Sequence, residues 1–121
     1  MERLTQSEEE AMQVLWQLNG GFIKEVLENL HEPKPPYTTL ASTVKNLERK
    51  GYVQGQKYGN SYRYVPMVRA EDYRKEFMRS FVGSYFRNSY KEVVSFFAKE
   101  QEISAEELKE IIQMIEKEKG E

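Results

Sequence analysis

The sequence has no cysteine and only one histidine among its 121 residues. A chain without cysteine forms no disulfide, thiolate metal site or cysteine nucleophile, and one histidine cannot supply a multi-histidine metal site. His31 is therefore interpreted as a helix-end residue. We expect neither a metal nor a cofactor.

Long apolar runs are also missing from the sequence. None of its apolar stretches could span a bilayer, and residues 1–10 are acidic, which does not fit a basic and apolar targeting segment. We expect a soluble cytoplasmic protein without membrane contact.

Catalytic patterns are absent as well. No carboxylate pair, nucleophile beside a base, or glycine-rich phosphate loop occurs in a recognisable context, and Gly20 and Gly21 are interpreted as a helix stop. The sequence therefore predicts a protein that is not an enzyme.

Charge is unevenly distributed along a chain whose formal net charge is −2. Residues 37–69 contain six basic residues and one acid, whereas residues 100–121 contain eight acids and three lysines. Binding to DNA phosphates requires a basic segment, and DNA would repel an acidic tail. On charge alone, the alternative that both are ordinary solvated faces stays open.

Residues 37–53 are the most informative segment. Leu40, Val44 and Leu47 recur at helical spacing and are expected to face a core, and Gly51 should end the helix. The other face carries hydrogen-bond donors: Thr38, Thr39, Ser42, Lys45, Asn46 and Arg49. We interpret residues 38–50 as a DNA recognition helix, with a hydroxyl of Thr38 or Thr39 also capping its start.

A hairpin is predicted directly after this helix. Residues 52–56 and 61–65 carry strand-forming types, and residues 57–60 lie between them as a turn. Lys57 and Arg63 on this hairpin are expected to contact DNA phosphates. Lys50 is expected to end the helix against its dipole, and Tyr58 to pack the hairpin.

Two helices are predicted before the recognition helix. The first follows a capping box of Thr5 and Glu8, and the second is expected over residues 22–30, before a proline-rich break. Trp16 and Tyr52 are assigned to the core. Helices followed by a hairpin give the order of a winged helix-turn-helix, which we place at residues 1–68. The expected fold is mostly α with a small β-hairpin wing.

Residues 69–121 are predicted to form three amphipathic helices, the first two rich in aromatic residues and the last two opening on Ser89 and Ser104. About fifty residues cannot bury this much apolar surface by themselves, so we expect a homodimer. The residues expected in the shared core are Tyr73, Phe77, Phe81, Phe97, Ile111 and Ile115. A monomer whose helices fold back on the N-terminal module is the alternative.

Several short motifs occur in a specific order and spacing. They are LTQSEEE at 4–10 leading to Leu15 and Trp16, YTT at 37–39, LERKGYV at 47–53, and YRYVP at 62–66 before the helical tail. Together they resemble the penicillinase-repressor family, the BlaI/MecI/CopY-like transcriptional regulators, over nearly the whole chain. The resemblance implies a winged-helix repressor that dimerises through its C-terminal helices and binds an inverted-repeat operator.

Position by position, the resemblance implies that Thr38, Thr39 and Ser42 face the operator. Asn46 departs from the arginine common in the family, an exchange that should weaken a phosphate contact or alter base preference. Copper-responsive members carry cysteines near the C-terminus, so the cysteine-free sequence rules out copper sensing of that type.

Antibiotic-responsive members of the family are inactivated by cleavage between an asparagine and a phenylalanine in the dimerisation region. The corresponding pair here is Phe96 and Phe97. We therefore do not predict β-lactam sensing, and a sensor protease partner remains unknown. Phe96 and Phe97 are interpreted as core or dimer-interface residues.

Two other functions are compatible with the sequence. A winged helix can act as a protein-interaction module without DNA binding, and a gel shift would distinguish that role. The aromatic residues between positions 73 and 97 could instead wall a ligand cavity in a small-molecule-responsive regulator.

Overall fold

The computed structural model describes residues 1–120, which form six helices and three strands. In chain order these are α1 Gln6–Leu18, β1 Gly21–Phe22, α2 Ile23–Glu28, α3 Tyr37–Arg49, β2 Val53–Tyr58, β3 Ser61–Pro66, α4 Ala70–Phe86, α5 Tyr90–Lys99 and α6 Ala105–Lys119. The predicted fold class, mostly α with a small hairpin, is confirmed. The chain divides into two units, Met1–Glu76 and Phe77–Glu121, within α4.

Helix α1 begins at the predicted capping box. The Thr5 hydroxyl accepts the Glu8 amide, and the Thr5 amide donates to the Glu8 carboxylate at 2.8 Å, so two amides at the helix start are satisfied. The helix ends at Asn19, whose φ of 55° is left-handed, and Gly20 continues with a φ of 105° that favours glycine. The predicted stop at this point is confirmed.

The sheet has a third strand that the sequence analysis missed. Gly21 pairs with Tyr64 and Phe22 with Arg63, giving an antiparallel sheet in the order β1-β3-β2. The prediction that Gly20 and Gly21 only stop a helix is therefore incomplete, since Gly21 also begins β1. Helix α2 begins after this strand and is shorter than the predicted range of 22–30. A strand of two residues has no alternation for a sequence pattern to reveal.

Helix α3 buries the predicted stripe. Leu40 is 2% exposed and Val44 and Leu47 are fully buried, which confirms the expected core face. The predicted cap by Thr38 or Thr39 is wrong. Pro36 is the N-cap and its carbonyl accepts the Leu40 amide at 3.0 Å, so both threonines already lie within the first helical turn.

The hairpin has longer strands and a tighter turn than predicted. Tyr58 pairs with Ser61, which leaves a two-residue turn at Gly59 and Asn60. Gly59 has a φ of 60°, a conformation that glycine adopts without a steric penalty. Lys57, predicted in the turn, therefore lies in β2 opposite Tyr62.

The core of the N-terminal unit joins α1, α2 and α3 to the hairpin. Tyr52 is 1% exposed, and its hydroxyl donates to the Glu2 carbonyl. Trp16 is half-buried against this core and donates its indole N–H to the Val68 carbonyl at 2.8 Å. The assignment of Trp16 and Tyr52 to the core is confirmed.

The C-terminal unit has capped helices with uncovered apolar faces. Ser89 accepts the Glu92 amide, and Ser104 forms a full capping box with Glu107, so both predicted helix starts are confirmed. Helices α5 and α6 contain no buried residue among the positions that the structure describes. None of the helices in residues 1–120 combines the length and the apolar character needed to cross a membrane.

Candidate nucleic-acid interface

The polar side chains predicted to contact DNA lie on the exposed face of α3. Every one of the six is exposed: Thr38, Thr39, Ser42, Lys45, Asn46 and Arg49. The buried stripe occupies the opposite side, because residues three and four apart share a helix face. Helix α3 therefore presents hydroxyl, amide and cationic donors to solvent while it packs on the core. We call this surface the polar face of α3.

Lys45 lies where the polar face of α3 meets the hairpin. Its ammonium is 5.5 Å from the centre of the Tyr62 ring on β3 and 3.5 Å from the Glu48 carboxylate. Tyr64 and then Glu48 raise the pKa of Lys45 above its ordinary value. Lys45 is therefore cationic at neutral pH, as a phosphate contact requires.

Glu48 connects α3 to the hairpin. Its carboxylate accepts the Gly55 amide of β2 at 2.9 Å. A Cβ at position 55 would lie 3.1 Å from both this carboxylate and the Tyr64 ring, so any larger residue would make these neighbours shift by a few tenths of an ångström. Neither Glu48 nor Gly55 was singled out from the sequence, because nothing local shows that β2 passes beside the end of α3.

The two cations at the end of α3 lie in different environments. The Arg49 side chain is 63% exposed and its guanidinium is 3.9 Å from the Glu2 carboxylate. Lys50 is the C-cap, with a side chain only 8% exposed, and donates to Glu8 at 2.6 Å and to the Arg3 carbonyl at 3.0 Å. Arg49 is open to solvent, whereas Lys50 ends the helix as predicted and in addition pairs with Glu8.

Glu8 is the buried carboxylate that pairs with Lys50. Burial by itself would raise the pKa of Glu8, but hydrogen bonds from Lys50 and from the Thr5 amide outweigh burial and lower it. The carboxylate is therefore ionised at neutral pH, and a charged pair lies between the start of α1 and the end of α3.

The two cations of the hairpin, Lys57 and Arg63, also differ in how exposed they are. Lys57 is exposed on β2. Arg63 is half-buried, donates to the Asn19 carbonyl at 3.1 Å and covers Gly20. Alternation along β3 directs Arg63 away from the side that carries Tyr62 and Tyr64, so the structure does not bring it to the polar face of α3.

A cleft of about 620 Å³ lies between α2, the first residue of α3 and the hairpin. It is lined by Phe22, Ile23, Lys24, Glu25, Tyr37, Tyr58, Asn60, Ser61, Tyr62 and Tyr64. Tyr58 packs edge-on against Phe22 with ring centres 6.0 Å apart, which supports its predicted packing role. Lys24 and Tyr37 were not predicted as cleft residues. The pairing of β1 with β3, which no sequence pattern reveals, is what brings Lys24 of α2 close to the hairpin.

Tyr73 occupies a different place from the one predicted. It is 9% exposed and packs on Trp16 and Tyr52, with ring centres 5.6 and 5.8 Å apart, and its hydroxyl donates to the Glu9 carboxylate at 2.6 Å. Burial, the bond to Glu9 and the carboxylate's charge raise the pKa of Tyr73. Tyr73 therefore belongs to the core of the N-terminal unit and lacks the exposed surface that a dimer contact needs.

The other predicted dimerisation residues lie in the C-terminal unit. Phe77, Ile111 and Ile115 are 42%, 45% and 52% exposed, and Phe81 and Phe97 are half-buried. These large apolar side chains are uncovered within their own unit, which is costly for a protein in water.

Phe96 and Phe97 pack edge-to-face with ring centres 5.3 Å apart. With Glu100, Glu102 and Ile103 they line an open cleft of about 730 Å³. Across residues 1–120, no three histidine, cysteine, aspartate or glutamate side chains cluster as ligands for a metal ion.

Comparison with known proteins adds a family match. The family model described as penicillinase repressor matches residues 4–117. The chain is 26% identical over 123 residues to the penicillinase repressor of Bacillus licheniformis, covering 98% of this chain and 93% of that protein. It is 18% identical over 115 residues to the methicillin resistance regulatory protein MecI of Staphylococcus aureus strain N315, covering 94% of each. The corresponding protein of Mammaliicoccus sciuri is also 18% identical, over 119 residues.

Proposed function

The chain belongs to the penicillinase repressor family, and we propose that it represses transcription as a homodimer that reads an inverted-repeat operator. The family consists of DNA-binding transcriptional repressors, which are not enzymes. We further propose that α3 is the recognition helix and that β2 and β3 form the wing. Acting on DNA, the repressor would work in the cytoplasm.

The observation that carries this proposal is the division of α3 into two faces. Six polar side chains are exposed on the side opposite a fully buried apolar stripe. A helix that docks in the major groove needs such a face, because base edges and phosphates are hydrogen-bonding partners. The basic residues that flank this face would supply the electrostatic attraction.

We assign different roles to the residues of the polar face of α3. Thr38, Thr39, Ser42 and the Asn46 amide would read base edges. Lys45, Arg49 and, on the wing, Lys57 would neutralise phosphates and set the register. Arg63 donates to the Asn19 carbonyl. A purely structural role for Arg63 is therefore an alternative to its predicted phosphate contact.

The apolar faces of α5 and α6 support the dimer. With no buried residue on either helix, the C-terminal unit needs a partner to cover Ile111, Ile115 and Phe97, and a second copy is the economical choice. A twofold dimer would place two recognition helices roughly 34–36 Å apart, or a multiple of this, on one side of the DNA. Binding over a promoter would then exclude the transcription machinery.

Selection of bound duplexes from a random pool tests the proposal. A dimer that reads DNA should enrich a twofold-symmetric site whose half-sites are about one helical turn apart, or a multiple of it. Sequencing DNA that copurifies with the protein would identify the natural operator. If no sequence is enriched over the starting pool, the winged helix does not read DNA and a role in protein binding would replace the proposal.

A second candidate concerns the signal that releases the repressor. The cleft at Phe96 and Phe97 has aromatic walls and two carboxylates at its edge, a composition that suits an apolar cation. Such a ligand would make this chain a small-molecule-responsive regulator, in which Phe97 lines the ligand cleft in place of the dimer interface proposed above. Calorimetric titration with a panel of aromatic and quaternary ammonium cations tests that role, and absence of binding at millimolar concentration would exclude it.

A further inference from the structure

Glu48 is the single acid in the basic segment of residues 37–69, and it lies between α3 and the hairpin. One carboxylate oxygen accepts the Gly55 amide at 2.9 Å, and the other is 3.5 Å from the Lys45 ammonium. The same carboxylate therefore contacts β2 and a cation on the polar face of α3.

An acid at this position opposes DNA binding by charge alone. A carboxylate near the phosphates is repelled by them and reduces the number of counterions that binding releases. An ion pair between residues three apart on an exposed helix stabilises it only slightly. Neither effect explains a glutamate at position 48. The hydrogen bond that its carboxylate accepts from the Gly55 amide does.

Gly55 is suited to this bond by its place in the sheet. Strand β2 lies at the edge, where outward-facing amides have no neighbouring strand to pair with. Glu48 accepts one of these amides. Because a Cβ at position 55 would approach both Glu48 and Tyr64 to 3.1 Å, glycine lets the strand come close enough for the bond.

Lys45 is held from two sides. Glu48 is its ionic partner on α3, and the Tyr62 ring on β3 lies 5.5 Å from its ammonium. A cation over an aromatic face is attracted by the ring, and the two contacts together restrict a side chain that otherwise has many rotamers. The orientation of Lys45 thus depends on where the hairpin lies relative to α3.

We propose that Glu48 is a positioning residue for operator recognition, which fixes the hairpin to α3 through the Gly55 amide and orients Lys45 between Glu48 and Tyr62. This inference rests on the proposed function, since it concerns how the recognition helix and the wing are held in one arrangement. It assigns to an acidic residue a favourable contribution to specific DNA binding. Its contribution to non-specific binding is unfavourable.

The test compares Glu48→Ala with Glu48→Gln. Glutamine keeps an oxygen that can accept the Gly55 amide but loses the charge, whereas alanine loses both. Glu10→Ala is the matched control, since Glu10 is an exposed acid on α1 and its removal changes the net charge equally. Affinities are measured for the duplex enriched by selection and for a random duplex of equal length. Hydrogen exchange of the Gly55 amide is followed without DNA.

The proposal predicts that Glu48→Ala lowers the ratio of operator to random affinity about tenfold, the effect expected when one hydrogen bond is lost. Gly55 exchange should accelerate in this variant only. Glu10→Ala should keep the ratio within about twofold, whereas Glu48→Gln keeps the Gly55 bond, loses the ionic contact with Lys45 and should give a ratio between those of Glu48→Ala and the wild type. All three variants should bind random DNA slightly more tightly, because each removes a negative charge.

Two outcomes would overturn the inference: a wild-type affinity ratio in Glu48→Ala, or unchanged Gly55 exchange in that variant. Should Glu48→Ala fail to fold, Gly55→Ala keeps the Glu48 charge while its Cβ, 3.1 Å from the carboxylate and from the Tyr64 ring, forces these neighbours to shift, and a loss of ratio in the same direction is expected. If instead the wild-type chain prefers no duplex, the proposed function fails. Gly55 exchange would still decide whether Glu48 holds the hairpin.

Discussion

Lys50 donates to the Glu8 carboxylate at 2.6 Å, an ion pair that joins the end of α3 to the start of α1. Both side chains are nearly buried, at 8% and 5% exposed. A buried pair with additional hydrogen bonds is costly to break on one side, because the remaining charge loses its partner. This pair therefore holds the end of α3 against the start of α1.

The first prediction is that Glu8→Gln destabilises the fold by about 1–3 kcal/mol at neutral pH, because Lys50 loses its nearest carboxylate and keeps only the Arg3 carbonyl and the Glu2 carboxylate 4.0 Å away. Chemical denaturation monitored by circular dichroism would measure the free energy of unfolding. Glu10→Gln, an exposed position on the same helix, should change that free energy by less than about 0.5 kcal/mol. Equal effects of the two substitutions would show that the pair does not stabilise the fold.

The pair also predicts a pH dependence. The pKa of Glu8 is lowered on folding, so its stabilisation is fully present above the unfolded value of 4.5 and is lost as the pH falls through the lower folded value. The unfolding free energy of the wild type should therefore decrease below about pH 4.5 more steeply than that of Glu8→Gln. Parallel curves for the two proteins would contradict the ionised pair.

The second prediction concerns assembly. Replacing Ile111 and Ile115 with aspartate should convert a dimer to a monomer, because burial of each isoleucine would contribute about 1.5–3 kcal/mol to association. Gln113→Asp on the same helix adds a charge without removing an apolar side chain and serves as the control. Light scattering at micromolar concentration measures the mass. A monomeric wild type, or a variant that remains dimeric, would exclude α6 from the interface.

Sequence periodicity predicted the helices well because the signal is local. The stripe of Leu40, Val44 and Leu47 and the hydroxyl caps at Thr5 and Ser104 depend on residues within one or two turns of each other. An apolar stripe also shows that a face is buried, but it does not identify what covers that face. Tyr73 illustrates this, since its partners Trp16 and Tyr52 come from distant parts of the chain.

The candidate interface was predicted less completely for the same reason. The exposed polar face of α3 follows from the helical repeat alone. The roles of Glu48, Gly55 and Arg63 depend on the register of the three strands, and the two-residue strand β1 carries no pattern in the sequence. Contacts between distant segments thus decide which cations of the basic segment stay exposed.

The third prediction separates the two hairpin cations. Arg63→Gln should lower the unfolding free energy by about 0.5–1.5 kcal/mol, since its bond to the Asn19 carbonyl is lost. Lys57→Gln should leave stability unchanged and reduce the salt slope of DNA binding by roughly one unit, as expected for one lost phosphate contact. Denaturation curves and titrations at several salt concentrations measure both. A reduced salt slope in a fully stable Arg63→Gln protein would instead support its predicted phosphate contact.

The last prediction distinguishes base reading from phosphate binding on α3. Ser42→Ala or Asn46→Ala should cost about 1–3 kcal/mol on the selected operator and almost nothing on random DNA, because hydrogen bonds to base edges carry the sequence information. Lys45→Ala should mainly weaken binding to every duplex and reduce the salt slope by roughly one unit. Titrations of both duplexes at several salt concentrations separate the two signatures, with circular dichroism confirming the fold. If all three variants bind both duplexes like the wild type, the polar face of α3 does not contact DNA, and its exposed donors serve another partner.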